Sequence, residues 1–214
     1  MMKNNLPFIG SDTRKVCIIC EGNEEYGYLE RLKELAVWSE HYTFELKNAE
    51  GNGNVPARYA AEYQSASYDV VLVFCDTDKK PYEQYEDIKR KINNVHGVEG
   101  ASDEVVIFGN PCTMQIIIEH WEDIRLTTQS KKANASLIEK HTGIQNYRAH
   151  KDQIETLVAF ITEENYNEMR LRLEGFPTDD KIVSSTNILK FIKHFEKEED
   201  SWIDDINSVV ESAV

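Results

Sequence analysis

Three carboxylates carry most of the chemical potential of this chain: Glu21, in Glu21-Gly22, and the pair Asp76 and Asp78, in Asp76-Thr77-Asp78. Each signature directly follows an apolar run, Val16-Cys17-Ile18-Ile19-Cys20 in one case and Val70-Val71-Leu72-Val73-Phe74-Cys75 in the other. Runs of this length, rich in β-branched residues, fit strands covered on both faces. Open α/β sheets bind ligands in a crevice at the carboxyl ends of their strands. The three acids, remote in sequence, are therefore expected to converge. Carboxylates held so close repel one another unless protons or a cation neutralise them, and a divalent-metal site is the reading that follows.

At a strand end, residues i and i+2 project to the same side, so Asp76 and Asp78 are expected to offer oxygen ligands together. Mg²⁺ prefers octahedral oxygen coordination and is usually held by one or two carboxylates plus substrate phosphate; Mn²⁺ is the alternative ion. Glu21, not needed as a tight ligand, would act as general acid or base in phosphoryl transfer. Gly22 would let the backbone approach a phosphate, and the helix N-terminus after it adds a favourable dipole. A single Asp-x-Asp at a strand end also suits helix capping or plain solvation. Its pairing with a second acidic strand end favours the metal.

The elements that must position these groups follow from punctuation and periodicity. Asn23 opens a helix with an apolar stripe at Leu29, Leu32, Leu35 and Ala36, and Tyr42–Leu46 reads as a short strand. Pro56 starts a helix that runs to about residue 66 and feeds the strand at Val70–Cys75. Pro81 starts a third helix, through about Val95; Val105–Phe108 is the next strand, stopped by Gly109-Asn110-Pro111; Cys112–Trp121 reads as a helix. Four such alternations imply a mostly parallel sheet with right-handed crossovers. Strand signals fade after Trp121. Residues 135–141, 152–161, 166–173 and 187–206 read as helices, the last capped by Ser185 and Thr186. The expected plan is a flexible arm over 1–13, an α/β core over 14–125, and a helical C-terminal region over 126–214 packed on that core.

Composition narrows the function classes. Lys plus Arg number 24 against 38 for Asp plus Glu, a net charge of −14, which argues against a protein that grips nucleic acid unaided. The clusters Lys79-Lys80, Lys89-Arg90-Lys91 and Lys131-Lys132 read first as solvated faces. Cys17, Cys20 and Cys75 fall inside buried strands, where thiols act as small hydrophobes. The Cys17-x-x-Cys20 pair points to opposite faces of a strand, unlike a redox pair at a helix start. No apolar run reaches the ~20 residues that span a bilayer, and Met1–Asp12 lacks the pattern of a secretory signal, so a cytoplasmic protein without a membrane partner is expected. Walker, nucleophile-elbow and H-E-x-x-H motifs are absent. Asn110 reads either as a cap for the following helix or as a site residue, and His120 either as a packed histidine or as a helper for phosphate. Tyr147 with Arg148, His150 and Lys151 could meet a base and phosphates, or be solvated surface.

Cys20-Glu21-Gly22-Asn23-Glu24-Glu25, followed by Phe74-Cys75-Asp76-Thr77-Asp78-Lys79, resembles a TOPRIM domain, the acidic fold of topoisomerases, primases and OLD-type nucleases. The likeness is to RloB-like proteins in particular, found near restriction systems and in prokaryotic defence loci. Asn110-Pro111-Cys112 with His120-Trp121 is similar to a third block of that family, which prefers His-Phe there; Ser185-Thr186-Asn187 before Ile188 and Phe191 is similar to a fourth. The resemblance spans residues 14–195. It implies a TOPRIM/Rossmann-like fold and a Mg²⁺-dependent nuclease, with Glu21 as acid/base and Asp76 and Asp78 as metal ligands. Gly22, Lys79, Asn110 and His120 are the candidate phosphate contacts.

One position departs from the pattern: where the family carries a Glu four residues after the Asn, this chain has Met114, beside Gln115, and leaves Glu119 as the acid to take that place. Nucleic acid is the expected partner, gripped with help from a basic ATPase or restriction subunit; self-association stays open. The alternative is a non-catalytic, metal-binding sensor or partner subunit of a defence complex. A receiver-like phosphoacceptor ranks last, because Lys79 lies too near Asp76 in sequence.

Overall fold

Four strands run parallel in the order β2-β1-β3-β4: β1 (Arg14–Cys20), β2 (Tyr42–Asn48), β3 (Val70–Asp76) and β4 (Val106–Asn110). A fifth, β5 (Ser185–Thr186), pairs antiparallel with the outer edge of β4. The computed structural model describes residues 13–77 and 83–211, so the expected N-terminal arm, residue 13 apart, lies outside it. The architecture is α/β and Rossmann-like, as the alternation of strands and helices predicts.

The central strands are buried because both faces are covered. Every residue of β3 is buried, as are the last five of β1. Edge strand β2 is only partly covered and carries Glu45 and Lys47, charges that discourage pairing with another chain. From β1 the chain moves outward to β2, and from β3 outward on the other side to β4. The topological switch point, where α/β sheets open a ligand crevice, is thus between the carboxyl ends of β1 and β3.

The helices of the first half fall where the punctuation places them: α1 (Asn23–Glu34), α2 (Val55–Gln64, with Pro56 in its first turn) and α3 (Glu83–His96). A short helix, α4 (Ala101–Val105), occupies the expected turn before β4. α5 (Met114–Ile118) is shorter than the helix expected over 112–121. In the second half α6 (Lys131–Thr142) and α8 (Glu163–Leu173) begin several residues earlier than their apolar periodicity indicates. Side-chain caps explain this, since Ser130 accepts the Ala133 N–H and Thr162 accepts the Asn165 N–H. α7 (Lys151–Val158) packs on α1.

Two expectations for the C-terminal region need correction. The helix expected over 187–206 is two, α9 (Ile188–Phe195) and α10 (Ser201–Val210), separated by the acidic segment Glu196–Asp200. Arg14 anchors that break through Asp200 at 2.5 Å, and Tyr42 donates its hydroxyl to the Glu199 carbonyl at 2.5 Å. Ser185 and Thr186 form a strand instead of capping a long helix. Thr186 Oγ1 does accept the Ile188 N–H, but it donates to the Phe108 carbonyl at 2.6 Å. Asn187 Oδ1 accepts the Phe108 N–H at 3.0 Å, and its Nδ2 donates to the Val106 carbonyl at 2.8 Å. This added strand carries β4 through Gly109 and Asn110, two residues beyond its expected end. Among the described residues no helix is long and apolar enough to cross a membrane.

Candidate metal centre

Glu21 and Asp76 meet because β1 and β3 are neighbours in register, Cys20 lying opposite Phe74. The Glu21 N–H donates to the Phe74 carbonyl at 2.9 Å, and the Glu21 carboxylate accepts the Asp76 N–H at 2.9 Å through Oε2. The first acid is therefore fixed on the backbone of the second, across the switch point. The Asn52 carboxamide, after β2, lies against the Glu21 carboxylate, and turned with its nitrogen toward Glu21 it donates to Oε2 at 2.8 Å. Asp78 and Lys79 lie outside the described residues.

Asp76 is buried, and its Oδ1 accepts two hydrogen bonds from Thr113: the N–H at 2.5 Å and the hydroxyl at 2.7 Å. A glycine makes that approach feasible. Gly109 pairs with Asp76 across the sheet, and a Cβ there would sit 3.0 Å from the Cys112 carbonyl group and from Thr113 N. Any side chain at 109 would push the Thr113 turn away from Asp76.

Two further acids complete the centre. Glu24 and Glu25, in the first turn of α1, would ordinarily complement the helix dipole from the surface. Here they are 6% and 3% exposed, and with Asp76 they place three carboxylate oxygens within 4.8 Å of one another. Glu25 Oε2 also accepts the Gly22 N–H at 3.0 Å. Glu24 takes the Tyr147 hydroxyl on Oε1 at 2.8 Å and the Lys131 ammonium on Oε2. Burial, then the charge of Glu25, raises the Asp76 pKa well above the carboxylate range. Burial, then Glu24, raises that of Glu25. Burial works against the Lys131 charge, but Glu24, Cys112 and Asp76 together hold its pKa well above the ordinary lysine value. Such a centre favours any added positive charge. Its donors are all oxygens, which suits hard cations such as Mg²⁺, Mn²⁺ or Ca²⁺ over the softer metals that select thiolates.

No protein-family model, curated protein or solved structure matches this chain.

Other sequence candidates are placed differently from expectation. Gly22 is the N-cap of α1 in an extended conformation, φ −149°, with its N–H already taken by Glu25; an added Cβ would meet only Glu25 Oε2, at an ordinary 3.5 Å. Asn110 ends β4 and donates to the Asp180 carbonyl at 2.6 Å; Thr113, not Asn110, sits at the N-cap of α5. His120 is buried, with Nε2 3.2 Å from the Tyr28 hydroxyl and Nδ1 3.1 Å from Asn165 Oδ1. Burial lowers its pKa to about 3, so the ring is neutral, engaged at both nitrogens, and unsuited to holding phosphate.

Glu119 is fully buried and braces the loop after α5. Its Oε1 accepts Gln115 Nε2 at 2.9 Å and the Ile124 N–H at 3.2 Å, tying the loop after α5 to that helix. Tyr147 is buried on Glu24 and offers no ring face for base stacking. Lys131, expected on a solvated face, reaches into the acids, while Lys132 stays exposed. The residues that sequence reading did not assign to the acidic centre are thus Glu24, Glu25, Thr113, Lys131 and Tyr147. For the two glutamates a signal existed: they follow Glu21 by three and four residues, where a helix start turns them back toward the strand end.

Proposed function

We propose that the protein is a metal-dependent nuclease of the TOPRIM type, similar to RloB-like proteins, that uses Mg²⁺ or Mn²⁺ to act on nucleic acid. The observation that carries this reading is the convergence of Asp76, Glu24 and Glu25 at the switch-point crevice, with Glu21 bonded to the backbone of Asp76. Asp76 and Glu25 are the ligands, and Asp78 is assigned beside them from the strand-end pattern. A divalent ion bound there supplies charge stabilisation to the phosphate under attack. Thr113 orients Asp76 and keeps one of its oxygens fixed. Glu21, held across β1 and β3, moves the proton of the attacking or leaving oxygen. A cytoplasmic role in restriction or phage defence belongs to the same proposal.

The test is cleavage of labelled DNA and RNA oligonucleotides with Mg²⁺, with Mn²⁺ and with chelator. Cleavage should need the metal, and Asp76→Asn should lower the rate on the order of 10² or more, as loss of one preorganised electrostatic contact does. Glu21→Gln should fall alongside it. Equal rates for Asp76→Asn and the parent would overturn the mechanism. A net charge of −14 favours a second reading, a metal-binding subunit that leaves the nucleic-acid grip to a basic partner. Stoichiometric Mn²⁺ binding without cleavage, alone or with such a partner, would select it.

A further inference from the structure

The acidic centre already contains a cation of the chain's own. Lys131 opens α6, a helix whose start is fixed by Ser130 and whose preceding loop is tied by Asn134 Nδ2 to the Thr128 carbonyl at 2.9 Å. From that fixed base its ammonium pairs with Glu24 Oε2, its side chain only 26% exposed. Tyr147 occupies the other Glu24 oxygen. Both oxygens of Glu24 are thus engaged by donors from the C-terminal region, whereas Asp76 is engaged through the Thr113 turn and Glu25 through Gly22.

We infer that Lys131 is a built-in counter-ion that fills one of two cation places in this cluster, so that the centre takes a single divalent ion and Glu24 is not one of its ligands. This rests on the metal-centre reading above and adds its stoichiometry and the role of a residue that the reading does not use. Lys131 neutralises Glu24, whose two oxygens are both engaged, and so leaves the oxygens of Asp76 and Glu25 as those a divalent ion can take. Glu21 is held across the switch point by the Asp76 N–H on its Oε2. Lys131 is then a positioning residue: it fixes Glu24 and the charge of the site instead of touching the reacting atoms.

The experiment counts bound Mn²⁺ in the full chain by electron paramagnetic resonance of the free ion, without nucleic acid. The parent should bind one ion. Lys131→Met, which keeps the length and removes the charge, should bind two, because Glu24 is released; Lys131→Arg should return the count to one. Two ions in the parent, or one in a folded Lys131→Met, would overturn the inference while leaving the metal centre standing. No ion in the parent would sink the metal centre itself, and this inference with it. Should Lys131→Met fail to fold, the parent decides alone: a spin-coupled Mn²⁺ pair refutes the inference, and a single uncoupled ion supports it.

Discussion

Glu119→Gln offers a quantitative check of how this fold holds buried charge. Glu119 is completely buried; its Oε1 accepts two hydrogen bonds, while its Oε2 has no hydrogen-bond partner. Burial raises its pKa from an ordinary 4.5 to about 7. Between those two pH values the unfolded chain has released the proton and the native chain has kept it. The unfolded state binds fewer protons there, so stability falls as pH rises through that window and levels off above it. A difference of about 2.5 pH units, at roughly 1.4 kcal/mol each, amounts to about 3 kcal/mol.

Glutamine keeps the Oε1 acceptor but cannot ionise, and it buries an NH₂ without an acceptor, which costs about 1–3 kcal/mol at every pH. Urea denaturation at pH steps from 4.5 to 8 should therefore show the variant weaker than the parent at the acid end. That deficit should shrink by about 3 kcal/mol by neutral pH. Asp76 and Glu25 contribute slopes of the same sign to both proteins, so they cancel in the comparison. Parallel profiles for parent and variant would refute the argument.

Two further substitutions probe the supports of the site and of the sheet. Thr113→Val removes the hydroxyl on Asp76 Oδ1 but leaves the backbone bond; loss of one hydrogen bond to a carboxylate, worth about 1.5 kcal/mol or more, should weaken Mn²⁺ binding roughly tenfold. An unchanged dissociation constant by the same resonance titration would show that Thr113 does not orient Asp76. Asn187→Ala strips the partners of the Phe108 N–H and the Val106 carbonyl and should cost about 2–4 kcal/mol of folding stability, two unsatisfied backbone groups at ~1–2 each. A loss below ~0.5 kcal/mol, the scale of an ordinary surface change, would contradict that role.

The parallel sheet was legible because its strands are buried on both faces and so appear as uninterrupted apolar runs at Val16–Cys20 and Val70–Cys75. Helices with proline or asparagine at their starts were legible for the same local reason. What escaped depends on distant partners. Ser185-Thr186 is too short and polar to look like a strand, and it becomes one only because β4 offers an edge beside it. Glu21 and Asp76 were brought together by the strand-end rule. Lys131 and Tyr147 were not, since nothing local distinguishes a lysine in a Lys-Lys pair that reaches an acid 107 residues away. The segment Glu196–Asp200 looked helical by composition, and its break depends on Arg14 at the far end of the chain.

The short strand beside β4 binds the C-terminal region to the outer edge of the sheet. A chain cut after residue 125, at the apparent end of the alternating core, would expose the backbone of Val106–Asn110 along a flat, apolar margin. That margin invites the same strand of a neighbouring molecule, so such a fragment would tend to precipitate instead of behaving as an independent unit. The ammonium and phenol that engage Glu24 would be lost in the same cut. Sheet edge and acidic centre thus both draw on residues beyond the alternating half of the chain.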